Sequence, residues 1–257
     1  AKDILNMLLA ECRQAGVEIR LNCQVKAVDK PDNDAPFVIR TQQGDYQSES
    51  LVIASGGLSI PKMCATPFGY KIAEQFGHHL WPTHAGLVPF TLHEQDRTRF
   101  ADLAGVSVEA IISNDKASFR EAILFTHRGL SGPAILQISS YWQPGEAITI
   151  NFLPEHDLAA YLKTRQASQP QSKLKTVLNE LLPKRLVITL LDNALLDKPL
   201  QAIAHKQFDA LARQLQHWQL KPNGTEGYRT AEVTLGGVDC DELSSRTMES
   251  KKVTGLY

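Results

Sequence analysis

Twice in this chain an apolar strand pattern runs straight into paired glycines. Leu51-Val52-Ile53-Ala54 leads into Ser55-Gly56-Gly57, and the stretch "TAEVTL" (230–235) leads into Gly236-Gly237. Small residues after a strand let a phosphate, a ribose or a ring come close to the main chain, and a helix start behind them favours an anion. Each pair also has a plainer reading. A tight strand-to-loop turn accounts for Gly56-Gly57, and a type I′ or II′ hairpin turn accounts for Gly236-Gly237. Two such elements flanking a large insertion carry more weight than either alone.

Periodicity orders the rest. Residues 3–16 read as an amphipathic helix, with Ile4, Leu5, Leu8, Leu9 and Cys12 at three- and four-residue spacing, Asp3 to cap its start and Gly16 to end it. Val17, Ile19 and Leu21 alternate, Val25 follows, and "PDND" and "QQGD" mark turns around a strand at 36–41. The apolar run at 51–55 reads as a buried strand. Pro67 behind Thr66 then starts a second helix that runs to Gly77. From 86 to 153 strand patterns dominate, interrupted by one short helix, "SGPAILQISSYW", that Ser131 is placed to cap. From 155 to about 220 the pattern is helical, and strand signal returns with "TAEVTL". This order predicts four parts: an α/β segment over 1–85, a β insert over 86–154, a helical insert over 155–222, and a return at 223–257.

The composition excludes some classes. Lys and Arg number 27 against 28 Asp and Glu, a net charge of −1, so no broad field attracts nucleic acid or an anionic membrane, which leaves only local patches and makes nucleic acid an unexpected partner. No apolar run approaches the roughly 18–20 residues of a membrane span, and the N-terminus lacks the pattern of a signal peptide. Four dispersed cysteines, with no Cys/His cluster, argue against a disulfide framework and against a metal site, and point to the cytoplasm. His78 and His79 are adjacent, so on a strand they face opposite ways and read as structural or solvent-facing. "FTHRGLSGP" (125–133) sets His127, Arg128 and Ser131 in a loop bounded by glycines. His127 and Arg128 are candidates to face an anionic or carbonyl substrate, and a loop with a capped helix start is the plainer reading. GxSxG, HExxH and GxGxxG are all absent.

Three long ordered stretches carry a resemblance: "LVIASGGLSIPKMCATPFGYKIAEQFGH" (51–78), the run from Ile123 to Ala134, and "TEGYRTAEVTLGGVDCDELSSRTMESKKVTGLY" (225–257). Together they resemble the YhiN/BaiN-type family of NAD(P)/FAD-dependent oxidoreductases. The resemblance implies a Rossmann-like α/β FAD-binding domain of the two-dinucleotide-binding type, interrupted by a β-barrel with a small helical bundle. It implies FAD as cofactor, NAD(P)H as reductant and a small-molecule acceptor of the enone type. An RNA- or protein-binding module on a flavoprotein scaffold is the alternative, with Trp218 and the basic residues of 205–221 as its contacts.

By position, the resemblance places Val25 against the adenine. Ala54, Ser55, Gly56 and Gly57 lie along the cofactor, and Thr234, Gly236 and Gly237 near the flavin. Because the flavin carries the redox chemistry, no side chain is singled out as catalytic. Cys64 stands where the family commonly has Gly, and Thr254 where it commonly has Pro. The family's opening GxGxxG strand-turn and its closing flavin-contacting segment have no counterpart here. The expectation is therefore an inactive internal fragment that holds FAD weakly and exposes a sheet edge through which two copies can pair.

Overall fold

The computed structural model describes residues 2–257, which divide into two compact units. The first comprises residues up to Ala54, Gly69–Leu80 and Val238–Tyr257; the second comprises Ser55–Phe68 and Trp81–Gly237.

In the first unit, helix α1 (Lys2–Gln14) forms where the apolar spacing predicts it, with Asp3 inside its first turn and Gly16 left-handed (φ +71°) beyond its end. The helix buries no residue, and Ile4, Leu5, Met7 and Leu8 are all more than half exposed. Residues 17–21 form no strand despite their alternation. Extended pairing begins at β1 (Val25–Asp29), which runs antiparallel to β2 (Phe37–Thr41), itself antiparallel to β3 (Gly44–Ser48). Helix α2 (Phe68–Gln75) buries Ile72 and Ala73, while Phe76 meets Phe37 edge-on at 6.1 Å and Gln75 Nε2 donates to Val28 O at 2.6 Å.

The run at 51–54 departs from expectation. It is bonded on one side only, Leu51 N to Gly255 O and Ile53 N to Tyr257 O, both at 2.8 Å, and Val52 is 66% exposed. One parallel bridge, Leu51 to Leu256, stands among the described residues where a central parallel sheet was expected. An apolar strand is buried only when neighbours cover it, and here the pairing stops at one partner.

His78 is buried. Its Nδ1 lies 2.9 Å from Glu242 Oε2 and its Nε2 lies 2.9 Å from Ser250 Oγ. The line-up has the composition of a nucleophile triad, but Ser250 Oγ already accepts the amides of Lys252 (3.1 Å) and Val253 (3.0 Å) and is itself buried. It is a clamp that ties residues 242–253 to the end of α2.

After the 55–68 segment, the second unit continues from Trp81 within β4 (Leu80–Gly86) to β5 (Phe90–Thr91), then α3 (Glu94–Arg99). The long antiparallel pair β6 (Ser107–Ser113) and β7 (Ser118–Phe125) leads to β8 (Gly129–Ser131), α4 (Pro133–Ser139) and β9 (Ile148–Asn151). Ser131 belongs to β8 and does not cap α4, which starts instead from Gly132 (φ +96°). A Cβ at 132 would lie 2.7 Å from Ala122 O, so only glycine fits.

Helices α5 (Leu158–Ser168), α6 (Leu174–Leu178), α7 (Lys184–Leu190), α8 (Asn193–Leu196) and α9 (His205–Gln216) follow. The chain closes the unit with β10 (Trp218–Leu220), β11 (Gly224–Thr225) and β12 (Val233–Val238), the last paired with β4.

Seven strands form one sheet in the order β10-β9-β6-β7-β8-β5-β11. Laid flat, its two edges would stand roughly 29 Å apart. Yet β10 and β11, the two edges, are joined by residues 221–223 alone, a link that spans at most about 15 Å. The sheet must therefore curl. It is a curled sheet and not a closed barrel, since its edge strands β10 and β11 do not pair with each other among the described residues. Phe90, Ile112, Ile123 and Ile150 from the strands share one apolar cluster with Leu162, Leu178, Phe208 and Leu215 from the helices. No helix among the described residues is long and apolar enough to cross a membrane.

Candidate functional site

Ala54, at the end of a first-unit segment, and Ser55 and Gly56, which open the second unit, are exposed; Gly57 is half-buried. The amides of Ser55, Gly56 and Gly57 donate to no acceptor among the described residues. Gly56 is left-handed (φ +73°), and nothing lies within 4 Å of where its Cβ would stand. The bare main chain faces open space.

Immediately afterwards the loop is held down. Leu58 N donates to Thr234 Oγ1 at 3.0 Å, Ser59 Oγ lies 3.0 Å from the same hydroxyl, and Ile60 N donates to Tyr228 O at 2.8 Å. One turn of 3-10 helix, Pro61–Met63, is bracketed by Ile60 (φ +54°) and Cys64 (φ +65°), two side-chain-bearing residues in the left-handed region. For Ile60, a β-branched residue, this is a true outlier.

The second glycine pair is placed differently. A Cβ at Gly236 (φ +79°) would lie 2.2 Å from Pro82 O on β4, so strand pairing by itself demands glycine there. Gly237 is also at positive φ (+105°), and Thr234 spends its hydroxyl on the 58–59 loop. Val25, in the first unit, begins β1 opposite Thr41, with a bulge before Ala27.

His127 is exposed, and its ring has no partner among the described residues. Arg128 is tied by its main chain, through Leu92 N to Arg128 O at 3.0 Å and Arg128 N to Thr126 Oγ1 at 3.2 Å. Its Nη1 donates to Glu226 Oε2 at 3.1 Å. Arg229 Nη2 stands 3.7 Å from that same oxygen. Glu226, only 11% exposed, is fixed by its amide bonding Pro89 O at 3.0 Å. Sequence reading passed over Glu226, Tyr228 and Arg229. The signal was the run Glu226-Gly227-Tyr228-Arg229, in which acid, aromatic and base crowd beside a glycine.

Trp218 is half-buried and packs on an aromatic group. It lies on β10 rather than on the helix its sequence suggested, and its ring sits 5.4 Å from Phe100, 6.5 Å from Phe125 and 5.3 Å from Phe152.

Residues 84–233 match the family described as "HI0933-like protein barrel and H2TH domain". The chain is 51% identical to the ribosomal RNA dihydrouridine synthase of Escherichia coli strain K12, aligned over all of this chain and 64% of that protein. It is 45% identical to the protein of the same name in Haemophilus influenzae, over all of this chain and 65% of that one. To the 3-dehydro-bile acid delta(4,6)-reductase of Clostridium scindens it is 26% identical, again over its whole length and 66% of the relative. The chain thus spans slightly under two thirds of the first two relatives' length.

Two of these relatives are named for ribosomal RNA, which overturns the expectation that nucleic acid is an unlikely partner. The reason is physical. A net charge is a sum, and this one conceals a division: residues 155–222 hold ten Lys and Arg against six Asp and Glu, a net +4, which leaves −5 on the remainder. Lys163, Arg165, Lys173 and Lys175 are spent on carboxylates. The side chains of Lys184, Lys198, Lys206, Arg213 and Lys221 make no ion pair among the described residues.

Proposed function

The chain belongs to the HI0933-like protein family, and from that membership we propose that it forms part of a flavin-dependent reductase acting on a uridine of ribosomal RNA. The observation that carries the proposal is the two relatives, 51% and 45% identical across the whole chain, that bear one and the same RNA-directed name. The chemistry is coherent across all three relatives. In uracil the C5=C6 bond is conjugated with the C4 carbonyl. It takes up a hydride at C6 and a proton at C5, and nothing leaves. The double bonds in the bile-acid relative's name are conjugated with an oxo group at C3, so the reacting element is again a carbon–carbon bond polarised by a carbonyl.

A flavin dinucleotide suits residues 55–57, where unbonded amides meet a Cβ-free space at Gly56. Bound there, it would supply the hydride, drawn in turn from NADH or NADPH. Ser55, Gly56 and Gly57 would offer main chain to it. Thr234 would act by holding the 58–60 loop, and Gly236 and Gly237 by letting β12 lie close to β4. His127, exposed and unpartnered, is the group to hold the proton destined for C5.

The protein is incubated with FAD, NADH or NADPH and ribosomal RNA, and the digested nucleosides are weighed. Uridine that gains two hydrogens is expected with the native sequence, at a rate about a hundredfold lower in His127→Gln. RNA that is bound but never reduced would make the chain a binding module on a flavoprotein scaffold.

A further inference from the structure

We propose that Arg128 and Arg229, held on Glu226, form a site for a phosphodiester of the RNA backbone beside the 55–60 loop; the inference rests on the RNA reading above. Glu226 is the least exposed member, at 11%, whereas the arginine side chains are 42% and 57% exposed. A carboxylate so placed orients two guanidinium groups whose remaining donors make no hydrogen bond among the described residues. Arg128 spends a single N–H on it, and Arg229, at 3.7 Å, makes an ion pair without a hydrogen bond. A guanidinium presents five donors in a planar fork that matches a phosphate. The trio keeps a net positive charge, and Glu226 has already taken part of the ordering cost out of Arg128.

The position is what gives the pair its meaning. Tyr228, between Glu226 and Arg229, accepts the amide of Ile60, so the segment that carries the site also anchors the loop. His127 precedes Arg128 directly. A phosphate seated on the arginines would therefore be held by the same segment that anchors Ile60 and by the residue that follows His127 in the chain. Phosphate contacts fix register and leave the reading of the base to other groups.

A labelled single-stranded uridine-containing RNA is titrated with the protein by fluorescence anisotropy at several KCl concentrations. Arg229→Gln is expected to weaken binding about fivefold and to lower the slope of log K against log salt by about 0.7, and Arg128→Gln/Arg229→Gln by about twice that slope. Lys116→Gln, at the other end of β7, should leave the slope in place. Unchanged affinity and slope in a double variant that melts with the native protein would overturn the site. Should the double variant fail to fold, Arg229→Gln alone decides, since its tie to Glu226 is long and exposed. A raised Kd for NADPH with an unaltered RNA slope would assign the arginines to the reductant's phosphates and overturn the proposal. Native protein that shows neither RNA affinity nor dihydrouridine would instead sink the functional reading on which it stands.

Discussion

Single residues in this chain are governed by whether a Cβ has somewhere to go. Gly56 and Gly236 look alike in sequence, yet one faces open space and the other lies against the carbonyl of Pro82. The paired glycines were visible in the sequence, but the reason for each was not, because the partner strand of Gly236 is 150 residues away. Cys64 is the converse. Sequence comparison suggested a position where glycine is usual, and the thiol-bearing residue does take the left-handed conformation, at φ +65°. For an L-residue that costs roughly 1–2 kcal/mol, set against the 0.5–1 kcal/mol that glycine adds to the unfolded chain's freedom. Cys64→Gly should therefore stabilise the protein by about 0.5 kcal/mol, read as a small upward shift of the urea midpoint at constant m. A lower midpoint would mean that the side chain holds the loop through a contact of its own.

At the scale of elements, legibility follows how local the determining forces are. α1, α2, β6, β7, β9 and the helical run from 158 to 216 sit where apolar spacing puts them. The failures cluster where tertiary partners decide. Residues 17–21 alternate but find no strand to pair with, and 51–54 is apolar but covered on one side only. Trp218 continues a helical pattern and yet turns into β10, because its indole completes the aromatic group of Phe100, Phe125 and Phe152 at the edge of the seven-stranded sheet. Trp218→Ala is expected to cost about 3–5 kcal/mol in a denaturant melt. The slope of RNA affinity against salt should stay at its native value in that variant, measured under conditions where it remains folded. A change in slope would return the tryptophan to the nucleic-acid interface.

For the whole molecule, the response to acid follows its depressed carboxylates: Glu146 and Asp197 in the second unit and Glu242 in the first all lie below the ordinary range. In the first, Glu242 is held down to about 2 from an ordinary 4.5, foremost by the Lys252 ammonium at 2.6 Å, then by the His79 amide and by His78. A depressed carboxylate stabilises the fold fully above its unfolded value and loses that contribution as pH falls through its folded one. Acid between about pH 4.5 and 2 should therefore loosen the clamp around His78, and Glu242→Gln should flatten stability across that window in stepped urea melts. A native-like acid limb in that variant would show that other carboxylates set it.

By itself the sequence determined the order of α/β, strand-rich, helical and strand-rich stretches, the strand-end glycines, and the glycine-bounded loop that carries His127 and Arg128, because periodicity and backbone freedom act over a few residues. Only the tertiary structure decided that the seven-stranded sheet curls so that residues 221–223 join its two edges, that Gly236 serves strand packing, and that Glu226 and Arg229 join Arg128. Those outcomes depend on groups far apart in the chain meeting within a few ångströms, which no local pattern encodes.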